Sequence, residues 1–132
     1  MLTDKRVLVT GAGGGIGREI AVEAARQGAA WVTVADLNPA AAAETAEMVA
    51  GVGARAHAVA VDLADSAQVR RMVEEAVAAG GGLDTLVNNA GVLDSAFTDT
   101  PTVEELPEEA WDRVYAVNVK AVWLATKFAA PH

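Results

Sequence analysis

The 132-residue chain has no cysteine, so disulfides and thiolate metal sites are excluded. Basic residues are scarce: 10 Lys and Arg stand against 18 Asp and Glu, a net charge of −8. A surface of that sign repels phosphate backbones, so no nucleic-acid partner is expected. No apolar run reaches the roughly 18 uninterrupted residues that a membrane span needs, so no membrane partner is expected. The two histidines stand apart, His57 within an apolar stretch and His132 at the end, and no metal site is expected. The first apolar run begins within a few residues of Met1, which leaves no room for a targeting presequence. A cytoplasmic location is expected. What is abundant is apolar: 52% hydrophobic against 21% charged residues suits one packed domain over residues 1–132.

The chain is organised around Arg6-Val-Leu-Val-Thr-Gly-Ala-Gly-Gly-Gly-Ile-Gly17. Val7 to Val9 read as a short buried strand ended by Thr10, and a glycine-rich turn follows. Ile16, Ile20, Ala21, Ala24 and Ala25 then fall on one face of a helix that stops at Gln27-Gly28. Strand, glycine turn and helix N-terminus together bring backbone N–H groups up to a phosphate. Gly11-Ala-Gly13 could open the older Gly-x-Gly-x-x-Gly fingerprint, but the full spacing is Thr10-Gly11-x-x-x-Gly15-x-Gly17.

Strands and helices then alternate. Trp31 to Ala35 reads as a second strand closed by Asp36, and Asn38-Pro39 starts a helix that runs to Ala50. A third strand covers about Ala56 to Val61 and ends at Asp62. Asp65 or Ser66 caps a helix with the stripe Val69, Met72, Val73, Ala76 and Val77, stopped by Gly80-Gly-Gly82. Leu83 to Val87 is a fourth strand leading into Asn88-Asn-Ala-Gly91. Val92 to Leu106 reads as an exposed acidic loop, with Thr102-Val-Glu-Glu105 as a capping box. A long helix follows from about Pro107 to Ala129, with Trp111, Val114, Asn118, Ala121, Val122, Ala125 and Phe128 on its core face. This alternation predicts an α/β fold, a Rossmann-type doubly wound parallel sheet with helices on both faces.

Asp36 stands at a strand end about twenty residues after the glycine turn, where a carboxylate accepts hydrogen bonds from both hydroxyls of an adenosine ribose. It repels a 2′-phosphate, and neither Gly14 nor the following Leu37 and Asn38 is basic. These features favour NAD over NADP. Thr10-Gly11-x-x-x-Gly15-x-Gly17, Asp36, Asp62 and Asn88-Asn-Ala-Gly91, in that order, resemble the short-chain dehydrogenase/reductase family over essentially the whole chain.

The resemblance implies that Gly11, Gly14, Gly15, Ile16, Gly17, Asp36 and Leu37 bind NAD, as do Asp62 and Leu63 beside the adenine and Asn89, Ala90 and Gly91 at the fourth strand. A solvated strand-end carboxylate is the alternative for Asp62. The resemblance also assigns Asn118 to the catalytic set, holding a water that relays protons; a polar residue facing a buried water is the alternative. The family's tyrosine and the lysine four residues on are missing. The only tyrosine, Tyr115, precedes Asn118, and Val119 rather than a lysine stands four residues after it. Neither Ser66 nor Ser95 suits the family's serine.

The expectation is therefore an NAD-linked oxidoreductase of alcohols or carbonyls, of which this chain carries the cofactor-binding part and is inactive alone. Val117, Trp123 and Leu124 are apolar residues off the expected core face of the 107–129 helix, and helices at this place form dimer interfaces in the family. A homo-oligomer through that helix follows. The alternative is a stand-alone dinucleotide-binding or regulatory module without catalysis.

Overall fold

The computed structural model describes residues 1–99 and 102–132. Four parallel strands, β1 (Arg6–Thr10), β2 (Trp31–Asp36), β3 (Arg55–Ala60) and β4 (Thr85–Val87), form a sheet in the order β3-β2-β1-β4. Five α-helices are described, α1 (Gly15–Arg26), α2 (Pro39–Gly51), α3 (Ser66–Gly80), α4 (Glu108–Tyr115) and α5 (Ala121–Ala129), besides a 3₁₀ turn and a π turn. Among the described residues no helix is long and apolar enough to cross a membrane.

Side chains of successive strand residues alternate between faces, and the core divides accordingly. Val7, Val9, Val32 and Val34 pack with Ala21 and Ala25 of α1 and Ala42 and Val49 of α2. Leu8, Ala35 and Val59 face the other way, onto Val69, Met72 and Val73 of α3 and Leu124 and Ala125 of α5. The result is three layers, the doubly wound architecture expected from the alternation. Alanines on α1 keep that helix close to the sheet, because they add burial without holding the backbones apart.

Local signals place the element ends. Asn38 Oδ1 accepts from the amides of Ala40 and Ala41, and Asp65 Oδ1 from those of Ala67 and Gln68, so each helix start is capped by the residue before it. Gly81 closes α3 in the left-handed region at φ +73°. β4 is shorter than Leu83–Val87: Asp84 turns its carboxylate onto Arg6, and regular parallel pairing begins at Thr85.

The 107–129 segment corrects the expectation most. It is not one uninterrupted α-helix, since residues Ala116–Lys120 form a π turn between α4 and α5. Its buried face runs through Ala110, Val117, Ala121, Leu124 and Ala125, one residue away from Trp111 and Asn118, both of which are exposed. The extra residue of the π turn shifts the phase of the helix before it, so Ala110 rather than Trp111 meets the core. Val117 and Leu124, read as outward, belong to the core. In the 92–106 loop, Asp94–Ala96 form a short 3₁₀ turn. Thr102 Oγ1 meets the Glu105 side chain at 3.2 Å. Thr100 and Pro101 of that loop lie outside the described residues.

Candidate cofactor site

The C-terminal ends of all four strands open onto one cleft of ≈ 470 Å³. Chain direction across the sheet reverses at β1, with β2 and β3 on one side and β4 on the other. That switch point is where open parallel sheets bind ligands.

The glycine turn forms one wall. Gly11 has φ +64°, and a Cβ there would lie 2.8 Å from Ala90 Cα, so the turn and the 88–91 segment touch through bare backbone. A side chain on Gly17 would overlap the Gly11 carbonyl, which explains a glycine two residues into α1. Gly14 and Gly15 are different, with open space where a side chain would go. No side chain caps α1 at Gly14, in contrast to Asn38 on α2 and Asp65 on α3. The first amides of α1 are therefore left without a side-chain acceptor, which suits an anionic group such as a pyrophosphate.

Asp36 sits at the tip of β2 on the cleft wall. Its Oδ2 accepts from the Gly13 amide at 2.8 Å and its Oδ1 from the Asn38 amide at 2.9 Å. Gly13 must be a glycine here, because a Cβ would come within 2.7 Å of Asp36 Cγ. Each carboxylate oxygen keeps a lone pair beyond its backbone bond, enough to receive ribose hydroxyls.

Opposite, Asn89 clamps β1 to β4. Its side-chain amide donates to the carbonyls of Thr10 and Gly11, while Thr10 Oγ1 accepts from the amides of Asn89 and Ala90. Asn88 turns the other way and donates to Thr126 of α5. Two asparagines in succession thus serve two different layers.

Asp62 closes the β3 side. Its Oδ1 accepts from the Ala64 amide at 2.9 Å and its Oδ2 from Arg113 Nη2 of α4 at 2.8 Å. Burial alone would raise its carboxyl, but the Ala64 amide and the Arg113 guanidinium together hold it below the usual carboxylate value. Asp62 is thus ion-paired and half-buried. The Arg113 guanidinium also lies 5.9 Å from the Phe97 ring centroid, so α4 and the 92–99 segment complete the cleft rim.

Asn118 lies in the π turn, exposed rather than on a core face. Its Oδ1 accepts from the Val92 amide and its Nδ2 donates to the Val92 carbonyl, both at 2.8 Å. It therefore holds the chain immediately after Gly91. A π turn inserts one residue into a helix and often marks a functional position, because it re-aims a side chain that regular winding would send elsewhere.

Of the residues expected to bind cofactor, Gly11, Gly14, Asp36, Leu37, Asp62, Leu63, Asn89, Ala90 and Gly91 share this cleft. Gly15 and Ile16 line a neighbouring depression beside β4, and Gly17 is packed inside. Asn118 is joined to the cleft through Val92. Sequence reasoning missed Gly13, Arg113 and Phe97. Gly13 left a signal in the Gly11-Ala-Gly13 opening, and Arg113 in the Trp111-Asp-Arg-Val run that resembles the family pattern.

The family model described as short chain dehydrogenase matches residues 5–132. A short-chain type dehydrogenase/reductase of Picea abies is 40% identical over 129 residues, which cover 93% of this chain and 46% of that protein. The crystal structure of a metagenomic short-chain oxidoreductase in complex with NADP superposes with a TM-score of 0.86 at 33% identity, covering 98% of this chain and 57% of that one. The structure of an NADH-dependent reductase responsible for alginate metabolism superposes with a TM-score of 0.88 at 34% identity, covering 99% of this chain and 52% of that one. The chain spans about half the length of the curated relatives it matches.

Proposed function

Because the chain belongs to the short chain dehydrogenase family, whose members are oxidoreductases that bind nicotinamide cofactors, we propose that its cleft binds NAD(H). Hydride transfer to or from an alcohol or carbonyl substrate is then the reaction it serves. The observation that carries this reading is Asp36, at the β2 tip on the cleft wall, with both carboxylate oxygens oriented by backbone amides. A carboxylate so placed receives a ribose diol and repels a 2′-phosphate.

When bound, the nicotinamide supplies or accepts the hydride. This chain's own residues do the holding. The uncapped first turn of α1 faces the pyrophosphate. Asp36 and Leu37 hold the adenosine ribose, and Asp62 and Leu63 border the adenine. Asn89, Ala90 and Gly91 keep the β4 side free of bulk. Asn118 is a positioning residue that sets the Val92 backbone and belongs to the catalytic set by family resemblance.

The chain alone is expected to bind without turnover, since Tyr115 is followed four residues later by Val119. Self-association is expected through the outer side of the 107–129 segment. There Trp111 (61% exposed), Tyr115 (52%), Val119 (48%) and Trp123 (57%) recur at every fourth position. Cytoplasmic location accords with this reading.

Titration with NADH and NADPH, followed by tryptophan fluorescence, tests the cofactor assignment. NADH binding at least about tenfold tighter than NADPH is expected. Equal affinities would overturn the preference, and binding of neither would overturn the reading. Turnover of NAD with a panel of secondary alcohols would refute inactivity.

A further inference from the structure

Gly13 is braced from both of its backbone groups. Its amide donates to Asp36 Oδ2 at 2.8 Å, and its carbonyl accepts from Arg18 Nη2 at 2.6 Å. Arg18 is in turn gripped by α2. Its Nε donates to the buried Thr45 hydroxyl at 3.0 Å, its Nη1 to Glu44 Oε1 at 3.2 Å, and its Nη2 to Glu44 Oε2 at 3.0 Å. Two N–H groups on two carboxylate oxygens is the forked geometry in which an arginine is held best. The Arg18 side chain is 23% exposed and that of Glu44 62%, so the guanidinium is held against α2 while the carboxylate stays open to solvent. Arg18 is absent from the cleft wall, whereas Asp36 and Gly14 form part of it. Beside Gly14 there is open space, with no atom within 4 Å of where a Cβ would stand.

We propose that Glu44 acts with Asp36 to set cofactor preference, by fastening Arg18 to α2 and so withholding its guanidinium from the 2′-phosphate of NADP(H). The proposal rests on the cleft being a nicotinamide-dinucleotide site. Asp36 acts on the ribose directly, and Arg18 and Glu44 act as positioning residues. Paired, Arg18 steadies the Gly13 carbonyl, and Gly13 in turn steadies Asp36. Once released from Glu44, and with the Asp36 carboxylate no longer there to repel the phosphate, Arg18 can turn past Gly13 into the space beside Gly14. A guanidinium there is suited to a phosphate dianion.

The experiment measures dissociation constants of NADH and NADPH for the wild-type chain and for three variants. These are Asp36→Ser, Asp36→Ser/Glu44→Gln, and the latter with Arg18→Met. Asp36→Ser is expected to narrow the preference for NADH. Adding Glu44→Gln is expected to tighten NADPH about tenfold and leave NADH within about twofold, the size of one charge-assisted hydrogen bond gained. Adding Arg18→Met is expected to cancel that gain.

An unchanged NADPH affinity on adding Glu44→Gln overturns the proposal, as does a gain that survives Arg18→Met. Thermal melts check that each variant is folded. If Arg18→Met is not, Glu44→Asp in the Asp36→Ser background replaces it, since retention of the carboxylate must suppress the gain. A wild-type chain that binds neither nucleotide defeats the cofactor reading itself. A wild-type chain that binds NADH, with NADPH indifferent to Glu44, defeats this proposal alone.

Discussion

The side-chain amide of Asn89 lies 3.0 Å from the Thr10 carbonyl and 3.2 Å from that of Gly11, so one residue beyond β4 holds the last turn of β1. Thr10 is the last β1 residue in register with β2, and Gly11 lies just past it. Replacing Asn89 with Ala leaves both carbonyls short of a donor in a half-buried place. A loss of about 1–3 kcal/mol is expected, read as a lower urea midpoint with unchanged slope. NADH binding weakens in step, because Ala90 and Gly91 lose their anchor.

Gly17 and Gly14 make a matched pair. Alanine at Gly17 would strike the Gly11 carbonyl and the Asn89 amide, both held by other contacts. Destabilisation of about 1–3 kcal/mol, or failure to fold, is expected. Alanine at Gly14 meets nothing within 4 Å and suits an extended backbone of φ −166°. Its melting temperature should stay near wild type while NADH affinity falls, since the methyl enters cofactor space. Equal damage from both substitutions would contradict the assignment of the cleft.

Asp84 gives the fold an acid dependence. Its Oδ2 accepts from Arg6 Nε at 2.7 Å and from the Arg6 amide at 2.9 Å, and these bonds hold its carboxyl far below the ordinary value. A depressed carboxyl stabilises the folded state fully above its unfolded value of about 3.9. That contribution shrinks below this value and is gone once pH has passed the folded one. Arg6→Met should therefore reduce stability at neutral pH and flatten the acid slope, seen as urea midpoints measured from about pH 5 to pH 2. An unchanged slope would mean that other carboxylates dominate.

Asn118→Ala removes both hydrogen bonds to Val92. Because the site is exposed, little global stability should be lost. The Val92 amide, however, should exchange with deuterium about tenfold faster, equivalent to one net hydrogen bond. Protection equal to wild type would show that other contacts hold the 92–99 segment.

Trp123→Glu tests the outer side of α5. If that side associates, sedimentation should show wild type as an oligomer and the variant as a monomer, because a carboxylate in an apolar contact is costly to desolvate. A monomeric wild type at high concentration ends the expectation.

Much of this was legible from residue order. Asn38-Pro39, Asp65, Gly28 and Gly81 announce helix ends through bonds and dihedrals spanning a few residues. Strand ends at Thr10, Asp36 and Val87 follow from where apolar runs stop, and the cleft opens at those ends. On the 107–129 segment, regular helical spacing put Ala121 and Ala125 correctly on the buried face but Trp111 and Asn118 one residue off it, because the π turn at Ala116–Lys120 adds a residue that an unbroken period does not foresee.

By itself the sequence determined the alternation of strands and helices, the glycine turn and the acidic β2 tip. Each of these depends on local backbone preference and on apolar periodicity within one element. Tertiary structure alone decided which polar partners meet. Arg113 reaches Asp62 across 51 residues, Asn118 reaches Val92 across 26, and Arg18 finds Glu44 across 26. Such pairs carry no periodic signature. Their partners are brought within hydrogen-bond distance only after the two core layers have closed on the sheet and fixed how each helix is turned.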